Sequence, residues 1–258
     1  MKQSLAVLAL ASLTVVSFAQ AADAPAPAAP AAAPAPAAPA VTTNFSLTSN
    51  YKFRGQDQGN NKPALQGGFD WTGGGFYLGN WNSSIGFTNA GIEMDFYGGY
   101  KGEVSGVGYD VGVLQYYYPQ KDKVLDFNVT EIYGALSYEF VSAKYSYTAS
   151  KDYFGLGEAY QLVAGGSRPK GSGTGYLDLS ANYEFMKGVT LNAHAGFTQL
   201  ASELKNVGYQ NYADYKLGVT YDAGSGFSLA GAIVGATKKD FWGDINKARL
   251  ILTVTKSM

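Results

Sequence analysis

From residue 45 onward the sequence repeatedly alternates apolar and polar residues over stretches of roughly ten, the period of a chain whose neighbouring side chains point to opposite faces. In 45–53 the odd positions are Phe45, Leu47, Ser49, Tyr51 and Phe53, and the even ones are Ser46, Thr48, Asn50 and Lys52. In 92–100, Ile92, Met94, Phe96 and Tyr100 oppose Glu93 and Asp95, and in 130–140, Ile132, Leu136, Tyr138 and Phe140 oppose Glu131, Ser137 and Glu139. The stretches 176–185, 189–198 and 216–222 repeat the pattern, and weaker ones lie near 64–71, 76–82, 107–117, 142–149, 227–236 and 248–258. About twelve strands are expected, with one face apolar and the other polar.

Alternation alone fits a water-soluble sandwich as well as a wall between lipid and water. The connections separate the two. Gaps after odd-numbered strands are long, near 56–62, 83–91, 119–128, 150–175, 199–211 and 237–247, whereas those after even-numbered strands are tight, such as 72–75, 102–106, 186–188 and 223–226. Long loops at one end and short turns at the other are the build of a transmembrane barrel. The expected fold is therefore all-β: a transmembrane antiparallel up-and-down β-barrel over 43–258. Tyr51, Phe53, Trp71, Trp81, Tyr100, Tyr116 to Tyr118, Phe140, Phe185 and Tyr221 are read as candidates for aromatic girdles at the two interfaces.

The N-terminus sets the compartment. Lys2, an apolar run from Leu5 to Phe18 and the small-x-small site Ala19-Gln20-Ala21 read as a signal peptide over 1–21. Residues 22–42 follow as an Ala/Pro-rich linker; 24–40 hold six of the nine prolines, which forbids a regular helix or ladder and predicts an extended periplasmic tether able to reach the cell wall. The chain has no cysteine, so no disulfide supports this exported domain. A formal charge of −1 offers no basic field, and nucleic acid is excluded as a partner.

Enzyme chemistry finds little to stand on. His194 is the only histidine, and without cysteine an ordinary His/Cys metal site is not expected, nor is any cofactor. Glycine clusters such as Gly73-Gly74-Gly75 lack the lysine and helix context of a phosphate loop and read as turns. With the polar phase inward, the lumen is expected to collect Lys52, Arg54, Glu93, Asp95, Glu131, Glu139, Lys144, Asp178, Glu184, His194, Lys216 and Arg249. Charges so placed can line a water-filled channel or pair across it and close it. The long 150–175 connection can likewise constrict the mouth or lie exposed outside it.

The segments LTSNYKFRG (47–55), KPALQGGFDW (62–71), GFYLGNW (75–81), IEMDFYGGYKGE (92–103), YDVGVLQYYYP (109–119), EIYGALSY (131–138) and YLDLSANYEF (176–185) resemble the TorF family of porins, a bacterial family also named for a Gly-Cys-Trp motif. Here that motif reads Gly79-Asn80-Trp81. The resemblance implies a bacterial outer-membrane location, lipid as the surrounding partner, and a channel for passive diffusion of small hydrophilic solutes or ions. A closed structural or interaction barrel, binding a partner through its external loops while the linker contacts the cell wall, stays open as the alternative.

Overall fold

A computed structural model describes residues 40–119 and 125–258. The expected signal peptide and nearly all of the expected linker lie outside the described residues. The strands are β1 (Ala40–Thr48), β2 (Lys52–Phe53), β3 (Gln56–Asp57), β4 (Ala64–Gly73), β5 (Phe76–Ser84), β6 (Ile92–Val104), β7 (Val107–Tyr117), β8 (Val129–Tyr138), β9 (Val141–Thr148), β10 (Gly175–Met186), β11 (Val189–Gln199), β12 (Tyr212–Gly224), β13 (Phe227–Ala236) and β14 (Arg249–Ser257). All except β2 and β3 form one closed antiparallel barrel of twelve strands, each paired with its neighbours in sequence, and β1 pairs with β14 to complete the ring. Closure runs from Asn44 opposite Ser257 to Thr48 opposite Thr253, and Thr43 and Met258 exchange backbone hydrogen bonds of 2.8 and 2.9 Å.

The alternation divides the wall as read from the sequence. Phe45, Leu47, Phe69, Leu78, Phe96, Val111, Val113, Ile132, Leu136, Leu217, Ile233, Leu250 and Leu252 stand exposed on the outer face. An apolar band of this extent facing outward is the reverse of a water-soluble barrel, and it is stable only against hydrocarbon. No helix among the described residues is long and apolar enough to cross a membrane, so any crossing is made by strands.

The tight connections are two-residue turns that require left-handed backbone. Ser105-Gly106 has φ values of 53° and 81°, and Ser225-Gly226 has 53° and 77°. Two successive positive φ angles match the twist of the flanking strands, which explains why glycine stands second in these turns.

The girdle expectation divides in two. Trp71, Tyr100, Tyr117, Phe140, Phe185 and Tyr221 are exposed on the outer face, but Tyr51, Phe53, Trp81, Tyr116 and Tyr118 are buried inside the barrel. Tyr51 and Phe53 also correct the first strand: β1 ends at Thr48, and the apparent continuation to 53 belongs to a segment that leaves the wall.

Placing a charge on the outer face tests the assignment of that face. Val111→Arg, near the middle of β7, is expected to lower barrel stability in bilayers by about 2–4 kcal/mol. Thr253→Ser on the inner face is expected to change it far less; equal losses in urea-dependent unfolding from liposomes would reverse the two faces.

Candidate functional site

The site is the lumen, and the segment joining β1 to β4 occupies its long-loop half. After Thr48 the chain turns inward and makes the small β2–β3 hairpin, with Lys52 opposite Asp57 and Phe53 opposite Gln56. Arg54 and Gly55 form the two-residue turn, with φ of 42° and 75°. A side chain at Gly55 would meet the Gly235 carbonyl oxygen at 2.6 Å, so the hairpin tip fits against the wall only with glycine there.

The hairpin crosses the bore. From the hairpin turn, Arg54 reaches β8, where its Nη2 donates to Glu131 Oε1 and Oε2 at 2.9 and 2.8 Å. Arg54 and Glu131 are 2% and 1% exposed. The Arg54 guanidinium lies 4.1 Å from the Tyr176 ring centroid, and its Nη1 donates to Tyr153 Oη at 3.0 Å. With both Glu131 oxygens on Nη2, Tyr153 on Nη1 and an aromatic ring against its face, the guanidinium has the compensation a buried charge needs.

The hairpin is also tied to the β13–β14 connection beside it. Lys52 Nζ donates to the carbonyl oxygens of Gly55, Ile245 and Lys247 at 3.0, 2.8 and 2.7 Å. Burial lowers the Lys52 amine to about 8, against the opposing pull of Asp57. Gln56 Nε2 donates to Asn246 Oδ1 at 2.8 Å.

A second insertion packs on the first. The 149–174 connection, which carries helix α1 (Leu156–Ala164), sends Tyr153, Phe154 and Leu156 into the interior, where Phe154 meets Phe53 and Tyr116 edge-on at 5.3 and 5.1 Å. Asp152 holds this loop by accepting from the amides of Gly157 and Glu158 at 2.9 and 3.0 Å and pairing with Arg168 at 2.9 Å. Of the two readings left open for this loop, its first turn constricts the mouth.

Below the hairpin, charge concentrates on one wall. His194 lies between Asp214 (Nε2, 2.7 Å) and Asp178 (Nδ1, 3.2 Å), and Tyr176 Oη donates to Asp214 at 3.1 Å. Lys144 Nζ sits 3.9 Å from the Tyr133 ring centroid, Tyr77 donates to Asp110, and Tyr97 donates to Asp70 at 2.7 Å. The facing wall, built from β13, β14 and β1, presents small side chains inward: Ala230, Ala232, Thr253, Thr255 and Ser46. These residues keep partial exposure, so the tight-turn half of the lumen is accessible to water beside them.

Of the residues singled out from sequence, Glu93, Asp95, Glu131, Lys144, Asp178, His194 and Lys216 lie on the inner face of the wall. Lys52 and Arg54 are inside the barrel but on the hairpin. Glu184 is at the tight-turn rim, accepting from the Gly188 amide at 2.7 Å, and Arg249 starts β14 with its Nε 4.0 Å from Asp57. Glu139 is not in the lumen: it is exposed in the β8–β9 turn at φ 51°, because the inward phase of β8 ends at Ser137. Sequence periodicity set Tyr51 and Phe53 in the wall and did not single out Tyr153 and Phe154, which complete the apolar body of the insertion, or Asp214, the closest partner of His194. No group of three or more His, Cys, Asp or Glu among the described residues is arranged to hold a metal.

Comparison with known proteins agrees with this architecture. A family model described as a bacterial protein of unknown function (Gcw_chp) matches residues 31–257. No curated protein matches the sequence. Among solved structures, the KdgM porin aligns at 10% identity and a TM-score of 0.53, covering 84% of this chain and 99% of its own. The NanC porin aligns at 9% identity and 0.52, covering 84% and 98%. At such identity the likeness establishes a shared barrel fold.

The Arg54–Glu131 pair predicts its own test. Glu131→Gln leaves the guanidinium buried without its counter-charge and is expected to cost about 3–5 kcal/mol of hairpin docking. Amide exchange over 51–58 should then accelerate strongly while the strands stay protected; unchanged exchange would show that other contacts hold the hairpin.

Proposed function

We propose, from the premise that the chain belongs to the Gcw_chp family of bacterial proteins, that it is an outer-membrane channel for passive diffusion of small hydrophilic solutes or ions, and not an enzyme. One observation carries the reading: a closed ring of twelve strands has an apolar exterior and, in its tight-turn half, a polar interior that water reaches. Bacterial barrels of this kind place short turns in the periplasm and long loops outside. With that orientation the hairpin and the 149–174 loop narrow the external mouth, and the linker leaves β1 on the periplasmic side, where the cell wall lies within its reach.

The charged wall bounds what passes. Asp70, Asp110, Asp178 and Asp214 share it with Lys144, His194 and Lys216, so both signs face the bore. Selectivity is then set by the charges at the narrowest point and not by net charge. One structure similar in fold is a KdgM porin in complex with disordered oligogalacturonate, which supports passage of elongated hydrophilic solutes through a barrel of this size.

The inserted hairpin also favours a second reading, a closed barrel that serves as a structural or interaction module. Planar-bilayer recording separates the two. The channel reading predicts small conductance steps from the full protein and a severalfold larger conductance when residues 51–60 are replaced by a short Gly/Ser linker. A silent bilayer with both proteins, each shown to be folded and inserted, would discard the channel and favour the interaction barrel.

A further inference from the structure

The most expensive feature of the interior is not used by the channel reading. Glu93 and Asp95 are both 0% exposed, two residues apart on the inner face of β6. Each oxygen of Glu93 accepts from a tyrosine, Tyr51 Oη at 2.8 Å and Tyr118 Oη at 3.0 Å. Asp95 differs: both of its carboxylate oxygens are buried with no hydrogen-bond partner. Trp81 and Tyr116 flank it in the ladder, and Tyr51 packs edge-on against Trp81 at 5.5 Å. The nearest buried guanidinium, Arg54, is engaged by Glu131.

Two carboxylates in a dry aromatic chamber must be neutralised, because an isolated buried charge costs far more than folding can return. We propose that Glu93 and Asp95 form a cation site in the lumen wall that takes one hard divalent ion of the calcium or magnesium type. The donor chemistry fits. Such ions take oxygen ligands, and two carboxylates balance a charge of two. Asp95 offers two unengaged oxygens, and the lone pairs left on Glu93 add to them. Two acidic residues make a smaller set than an all-protein cage, so the hydroxyls of Tyr51 and Tyr118 and water carried in with the ion complete the shell, since magnesium held by one or two carboxylates keeps several of its own waters.

The site has a structural consequence. Tyr51 belongs to the inserted segment and Glu93 to the wall, so an ion at Glu93 and Asp95 sits directly under the hairpin and ties it to β6. This assignment stands on the buried oxygens and holds whether or not the barrel conducts.

Terbium(III), a luminescent probe for calcium-type sites, tests it. The full protein is refolded with terbium, indole is excited, and terbium emission is read; Trp81 is the tryptophan beside Asp95, while Trp71 is on the outer face and Trp242 on an outer loop. The expected result is saturable emission at one ion per chain that calcium displaces. Asp95→Asn and Glu93→Gln should each weaken it at least tenfold, and Trp81→Phe should remove the emission while calcium still protects the 51–58 amides from exchange. Both carboxylate variants are near-isosteric, and heat-modifiable gel migration verifies that each barrel is closed. Emission unaltered by both variants, or no saturable emission from the folded wild-type protein, overturns the proposal. An infrared band of a protonated carboxylic acid that persists with excess calcium and is lost in Asp95→Asn also overturns it, since the pair would then be neutralised by a shared proton.

Discussion

Everything in this molecule depends on the closure of the hydrogen-bond ring between β1 and β14. An open twelve-stranded sheet would leave two edges of unpaired amides and carbonyls, each costing several kcal/mol in hydrocarbon. Joining Asn44–Thr48 to Thr253–Ser257 removes both edges at once. Only then can the outer face be as apolar as Phe45, Leu250 and Leu252 make it, because no backbone polar group remains for lipid to expose. The absence of cysteine fits this economy: the ring itself cross-links the two ends of the chain.

Closure also creates an interior of fixed size that must be hydrated or filled, and the chain does both. The tight-turn half is left to water along a wall of Thr, Ser and Ala. The long-loop half is filled by the β2–β3 hairpin and the start of the 149–174 loop, whose aromatic residues pack as they would in the core of a soluble protein. Burying Arg54 there requires Glu131 of β8, Tyr176 of β10 and Tyr153 of the 149–174 loop to converge on it. The pair therefore acts more as a registration device than as a source of net stability, since a buried ion pair seldom returns more than its desolvation costs.

The wall was legible in the sequence and the insertion was not, for one physical reason. A period of two reports which way a side chain points relative to its neighbours, but not whether the strand that carries it is still in the wall. Lys52 and Arg54 keep the phase of Ser46 and Thr48, yet belong to a hairpin inside the bore. The signal that could have separated them is local: Lys-Phe-Arg-Gly-Gln-Asp reads as two short strands about an Arg-Gly turn, and Gly55 has the positive φ such a turn demands. Tyr116 and Tyr118 were ambiguous in the same way, because a tyrosine near a strand end serves an interfacial girdle or a packed mouth equally well. Glu139 was misplaced by a single residue, since the alternation does not mark where β8 gives way to its turn.

The division of the lumen bears on which part of the barrel can move. In a barrel whose strands are locked by neighbours on both sides, displacement of one strand costs hydrogen bonds that lipid cannot replace, so the wall is a poor moving part. The hairpin is different. Its backbone is bonded to itself and, through the Gln58 carbonyl, to the Gly86 amide, while its Lys52 and Gln56 side chains reach the β13–β14 connection, and no barrel ladder is broken if it swings out. What would be lost is the burial of Phe53 and Tyr51 and the pairing of Arg54, and the freed groups would meet water at the mouth, where charge is solvated. A segment held by one charge pair, aromatic contacts and the side-chain bonds of Tyr51, Lys52 and Gln56 can therefore move without unmaking the scaffold around it.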